Sequence, residues 1–231
     1  MLNFLTNMKL NYNRETGWGN TVLQVADFLY ECVRHKKIPH LPEPMECIGG
    51  IEISTDPDEE EYKANIFINN ITFNYVHPLM RQFVVPPQHV TDLVRENLHA
   101  CEVGLHIRRG NYGPDSKALD DGTPHEHAAW FCDDNALQKF IKIIEDAKAC
   151  VFVCTDSIHL RNELTRRYPY KVRTSNIKKI VHSRTCDGAD NTDMLVDWFL
   201  LSQCKKVYAT AKSTFGYTAA VYGGAQLEFV V

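Results

Sequence analysis

The chain has 231 residues, enough for one large domain or two small ones. Its 44% hydrophobic and 23% charged residues match an ordinary globular protein, and a net charge of -4 argues against a nucleic-acid binder that works by bulk electrostatics. No run approaches the roughly 20 apolar residues that span a bilayer.

The first residues, Met1 to Lys9, interrupt their apolar character with Asn and Thr and do not read as a secretory signal. The periodic apolar positions Val22, Val25, Ala26, Leu29 and Val33 predict a helix over 20–35. Pro39, Pro42 and Pro44 then predict an extended connection, and residues 48–54 and 64–76 read as strands. Between them, Asp56-Pro-Asp-Glu-Glu-Glu61 reads as a solvated acidic loop. A second helix is expected over 90–98, and the domain boundary is placed near residue 100.

From there strand and helix alternate. Strands are expected at 102–107, 150–154, 170–173, 206–210 and 227–231. Helices are expected at 134–148 (capped by Asp133 or Asp134), from Ser157 to about Arg167, from Asp190 to Cys204, and from Ser213 to Tyr222. Trp198, Phe199 and Tyr208 read as core. This alternation predicts a Rossmann-like unit, a parallel sheet covered on both faces. A polar loop over 110–131 interrupts it and is long enough to suggest an acceptor-binding or lid role.

The eight cysteines, Cys32, Cys47, Cys101, Cys132, Cys150, Cys154, Cys186 and Cys204, include no CxxC pair. They read as reduced thiols, with the cytoplasm as the expected location and no structural zinc. His125-Glu-His127 with Cys132 lacks the helical spacing of a metal site, and there is no GxSxG elbow of a serine hydrolase.

In an open parallel sheet, ligands bind beyond the carboxyl ends of the strands. Three polar segments fall at such ends: His106-Ile-Arg108-Arg109-Gly110-Asn111, Thr155-Asp156-Ser157, and Thr210-Ala-Lys-Ser213-Thr214-Phe215. Arginine offers a planar fork of donors to phosphate, and a helix start adds unpaired N–H groups. For Ser213 alone, a plain N-cap is an equally simple explanation. In the first half, Gly17-Trp-Gly19-Asn20 opens the 20–35 helix; the glycines suit close approach to a ligand, and a turn with an Asn cap explains them as well. No strong strand is read before this segment, and no Walker loop is present.

In this order, Gly17-Trp-Gly-Asn20, His106-Ile-Arg-Arg-Gly-Asn111, Thr155-Asp156, Asp197-Trp-Phe-Leu-Leu-Ser202 and Ser213-Thr-Phe215 resemble the motifs of the HxRR fucosyltransferases. These are the α-1,2- and α-1,6-fucosyltransferases and the protein O-fucosyltransferases. The resemblance implies an α/β, GT-B-like fold of two Rossmann-like halves with parallel sheets, the first reduced. Residues 1–100 would form an N-terminal acceptor-side domain and residues 101–231 a donor-binding domain. It implies an inverting, metal-independent enzyme that moves fucose from GDP-fucose to a glycan hydroxyl. By motif match Arg108 would hold the β-phosphate, and His106 would contact the donor or orient that arginine. Arg109 would be a second phosphate ligand or a structural anchor. Ser213, Thr214 and the N–H groups near Phe215 would bind the diphosphate, Asp156 guanine or ribose, and Gly17, Gly19 and Asn20 the donor from the first half.

A general base for the acceptor is sought among Asp115, Asp120, Asp121, His125 and Glu126, with Asp115 and Glu126 carried forward. Two positions depart from the family pattern. Asn111 stands where the HxRR segment often continues to Asp, and Gly17 stands where the protein O-fucosyltransferases carry an arginine. The second departure favours the glycan-modifying relatives. A non-catalytic nucleotide-sugar-binding module, and an enzyme using another GDP- or UDP-sugar, are the alternatives.

Overall fold

The structure, a computed structural model, describes residues 6–11, 17–45, 47–64, 79–109, 131–176 and 191–231. The chain divides into two compact units, Met1–Gln88 and His89–Val231.

The first unit is a four-stranded parallel sheet built from β1 (Asn7–Asn11), β2 (Ile38–Leu41), β3 (Glu52–Ile53) and β4 (Glu60–Lys63), in the order β3-β2-β1-β4. Helix α1 (Trp18–His35) follows β1 and buries Val22, Val25, Ala26 and Phe28. Alternation along the strands explains the two faces. Met8 and Leu10 are buried on one side of Lys9, and Tyr62, in register with Leu10, stacks on Phe28. Lys9, His40 and Glu61 are register neighbours and carry the polar side.

Several expectations change here. A strand does precede Gly17-Trp-Gly-Asn20: β1 holds only three buried residues, too few to stand out beside its Asn and Lys neighbours. The proline-rich connection contains β2. Pro39 fits there because the Ile38 N–H already bonds Thr6 of the β1 side, so the proline nitrogen faces the other edge, where β3 pairs only from His40 onward. The acidic run is not simply solvated. Glu59 is buried against His40 Nδ1 at 2.6 Å, Glu60 meets Lys37 at 2.6 Å, and Glu61 meets Lys9 at 3.6 Å. The 48–54 strand is reduced to Glu52–Ile53, with Ile48 in an isolated bridge to Val84. Residues 65–76 of the second expected strand lie outside the described residues.

The second unit is an all-parallel five-stranded sheet. It comprises β5 (Val103–Ile107), β6 (Val151–Thr155), β7 (Val172–Arg173), β8 (Lys206–Thr210) and β9 (Gln226–Val230), ordered β7-β6-β5-β8-β9. Its helices are α2 (Gln88–Glu96), α3 (Asp134–Asp146), α4 (Ile158–Arg167), α5 (Thr192–Leu201) and α6 (Thr214–Gly223). Asp133 caps α3 through Ala136 N, and Ser157 caps α4 through Leu160 N. Leu105, Ile107, Val151 and Val153 form one core with Phe140 and Ile144 of α3 and Leu160 and Leu164 of α4. On the opposite face a Cβ on Gly104 would lie 2.6 Å from Leu201 of α5, and one on Gly216 of α6 would lie 2.7 Å from Ala209. The sheet is therefore doubly wound, with α3 and α4 on one side and α5 and α6 on the other. All described side chains of β6 are buried, as a central strand covered twice requires. Trp198 and Phe199 are core as expected, while Tyr208 is only half-buried. No helix of the described residues is long and apolar enough to cross a membrane.

Candidate active site

Both sheets place their strands in the order third, second, first, fourth, so the chain reverses direction between the first and fourth strands of each. A crevice opens at the carboxyl ends on either side of such a reversal. In the second unit that point lies between β5 and β8. The first strand ends in His106, Arg108 and Arg109; the other leads through Thr210 into Ser213-Thr214-Phe215 and α6.

Thr210 fastens the two strand ends. Its hydroxyl accepts from Arg108 N at 3.0 Å and donates to His106 O at 3.3 Å. His106 points to the α6 side, stacks on Phe215 with ring centroids 5.0 Å apart, and is 5% exposed. Burial, and secondarily the Arg108 charge, pushes its imidazole down to about 3, so it is neutral throughout the physiological range. Its Nδ1 is buried without a hydrogen-bond partner among the described residues. Gly216 permits this packing, because a Cβ there would stand 3.1 Å from that nitrogen.

The two arginines have different surroundings. Arg109 continues the Leu105/Ile107 face and is 9% exposed. Its guanidinium donates to Cys132 O at 2.9 Å and to Asp134 at 2.6 Å, and its backbone N–H donates to Asp156 at 2.5 Å. The geometry is that of an anchor holding the strand end to α3. Arg108 is half-exposed, and its guanidinium lies 4.5 Å from the centre of the Phe131 ring. Cys132 N donates to Arg108 O at 2.6 Å, which returns the chain to the strand end after residue 130. Phe131 had no distinguishing signal in the sequence; Thr210 stood in the Thr210–Phe215 polar segment, but only the fold brings it to Arg108.

Ser213 is the N-cap residue of α6, but its side chain makes no capping bond. The first N–H groups of a helix have no intrahelical acceptor, and the macrodipole favours an anion there. Asp156, immediately after β6, orients the Arg109 backbone. Asp197 of α5, 6% exposed, accepts from the Ser175 hydroxyl and is raised to about 6, chiefly by burial. An open polar cavity of about 480 Å3 lies alongside, lined by α4 residues including Arg161 and Arg166 and by Thr174, Ser175 and Asn176. Its lining comes from both sides of strand β7, so no single stretch of sequence marks it.

Gly17, Gly19 and Asn20 belong to the first unit. They open α1 directly after β1, at the carboxyl side of that sheet's own reversal point. The helix begins at Trp18 with Gly17 as N-cap, so Asn20 is a helical residue and not the cap. Gly110, Asn111, Asp115, Asp120, Asp121, His125, Glu126 and His127 lie outside the described residues.

No family model and no curated protein sequence matches the chain. Solved structures do. NodZ alpha-1,6-fucosyltransferase soaked with GDP-fucose superposes with a TM-score of 0.62 at 14% identity, covering 94% of this chain and 92% of that one. A variant of Arabidopsis thaliana FUT1 in complex with GDP gives 0.62 at 13% identity, over 99% of this chain and 71% of that one. POFUT1 in its apo form gives 0.56 at 10% identity, over 100% and 99%. The α/β, GT-B-like architecture expected from the motifs is thus the architecture found: the chain has the fold of these fucosyltransferases.

Proposed function

We propose that the chain is a glycosyltransferase that moves fucose from GDP-fucose to a hydroxyl of a glycan acceptor. The observation that carries this reading is the pairing of an HxRR strand end with an STF helix start across the reversal point of a β7-β6-β5-β8-β9 sheet. In support, similar folds were solved as NodZ soaked with GDP-fucose and as NodZ, a FUT1 variant and POFUT1 with GDP.

On this reading the second unit holds the donor and the first is the acceptor side, with Gly17, Gly19 and Asn20 at its α1 start as further donor-binding residues. Arg108 carries the diphosphate opposite Ser213, Thr214 and the α6 N–H groups. Negative charge grows on the leaving GDP as the glycosidic C–O bond breaks. A guanidinium and helix N–H groups fixed in advance favour that state over the ground state. They supply positive charge without a divalent cation, so the transfer is metal-independent. Direct displacement by the acceptor oxygen inverts the anomeric centre. Neutral His106 acts as a hydrogen-bonding group, and Arg109 as the anchor of the strand end. Asp156 lies beside the expected nucleoside, and the acceptor base comes from Asp115 or Glu126. The enzyme works in the cytoplasm.

The test is a donor panel. GDP raises the melting temperature more than UDP or ATP, and Arg108→Ala removes that shift; equal shifts with all three nucleotides sink the donor assignment. Incubation with sugar nucleotides and glycans then yields a fucosylated product that persists in EDTA. GDP binding without turnover on any panel member leaves a nucleotide-sugar-binding module, the alternative function.

A further inference from the structure

The opposite edge of the second sheet, at the amino ends of the strands, collects thiols that the proposed reaction does not use. Cys101 lies two residues before β5, Cys150 immediately before β6, and Cys204 two residues before β8. Cys101 and Cys150 face each other with their sulfurs 2.7 Å apart. A disulfide bond is about 2.05 Å long, so well under an ångström of approach separates the thiol pair from a bond. The parallel register of β5 and β6, with Val103 opposite Val151, holds the two backbones together independently of the sulfurs. Cys101 is 4% exposed, whereas Cys150 is only partly buried and gives an oxidant a route to the pair. Cys204 is buried beside Gly104, where it packs against the β5 backbone.

We propose that Cys101 and Cys150 are a modification site that takes a disulfide from a thiol oxidant of the glutathione-disulfide class. Cys150 loses its proton, and its thiolate attacks one sulfur of the oxidant. The S–S bond of the oxidant breaks, and the first glutathione leaves as a thiolate that takes up a proton. Cys101 then loses its proton and attacks Cys150 Sγ, expelling the second glutathione. Two protein thiols are oxidised and one glutathione disulfide is reduced to two glutathiones, so hydrogens and electrons balance.

The bridge joins positions 49 residues apart and encloses the whole segment between β5 and β6. It locks the amino ends of two strands whose carboxyl ends carry Arg108, Arg109 and Asp156. A cross-link of this kind restricts the unfolded chain and raises stability. This inference does not depend on the identity of the donor.

The full chain is equilibrated with glutathione disulfide or with a phosphine reductant, its remaining thiols are alkylated, and it is digested without reduction. The expected product is a peptide pair joined through Cys101 and Cys150, lighter by two hydrogens than the two thiol peptides together. Its melting temperature lies several degrees above that of the reduced protein. Cys101→Ser leaves a glutathione adduct on Cys150, and Cys204→Ser leaves the cross-link in place. The proposal is overturned by a stable glutathione adduct on wild-type Cys150, by a bridge from either cysteine to Cys204, or by alkylation of both thiols after oxidation. Mapping the wild-type protein decides between these outcomes even if a variant does not fold.

Discussion

Burial and the neighbouring Arg108 charge both disfavour a protonated His106. Its folded pKa of about 3 lies below the ordinary 6.5, so the folded state binds fewer protons than the unfolded state between those values. The stability tied to this group is complete above about pH 6.5 and is lost as pH falls toward 3. Asp197 has the opposite sign. Its pKa rises from 3.8 to about 6, so its contribution is complete below 3.8 and is lost as pH climbs to about 6. Asp197→Asn removes that loss. The unfolding free energy of the variant, read from denaturant melts, is therefore expected to gain on that of wild type as pH rises from 4 to 7, by on the order of 3 kcal/mol at most. A constant offset across that range would show that Asp197 does not titrate there. In NMR, the His106 imidazole should show no titration between pH 5 and 8; a midpoint near 6.5 would contradict its burial against Phe215.

At the scale of elements, the site rests on how closely α6 approaches β5 and β8. Gly216→Ala places a methyl 2.7 Å from Ala209 and about as close to His106 as a hydrogen-bonding atom would be. Overpacking of this kind costs roughly 1–3 kcal/mol. The helix start should move off the strands, so both the melting temperature and the GDP-induced shift fall. Unchanged GDP binding in a destabilised Gly216→Ala protein would mean that the α6 start does not contact the nucleotide. The motif HxRR was readable in the sequence because strand and polar end are contiguous. The division of labour within it was not. Arg108 and Arg109 are adjacent and chemically identical, and only the packing of α3 behind β5 gives Arg109 its partners Cys132 and Asp134.

At the scale of the whole molecule, the same four-strand order appears in both units, with one further strand in the second. Each unit has its own sheet with helical cover of its own. His106, Arg108, Ser213, Thr214 and Phe215 all belong to the second unit. A fragment spanning 89–231 is therefore expected to keep most of the GDP-induced thermal shift and to lose transfer. Loss of the shift in a folded fragment would assign an essential donor contact to the first unit.

Among the described residues, the sequence alone determined the type and order of the second unit's strands and helices. The 151–154 run of β6 is apolar throughout, α3 is periodic, and α3 and α4 carry side-chain caps at Asp133 and Ser157, so local signals and the final fold agree there. It also determined which strand ends carry polar chemistry. Tertiary structure decided the rest. β1 and β2 are short strands whose alternating polar residues and Pro39 carry no clear local signature, and they become strands because parallel neighbours satisfy their backbone groups. The acidic run Glu59–Glu61 acquired partners only when the β-sheet brought His40, Lys37 and Lys9 beside it. Thr210 is distant in the chain from Arg108, and Phe215 from His106, and their meeting depends on strand order, which no local propensity encodes.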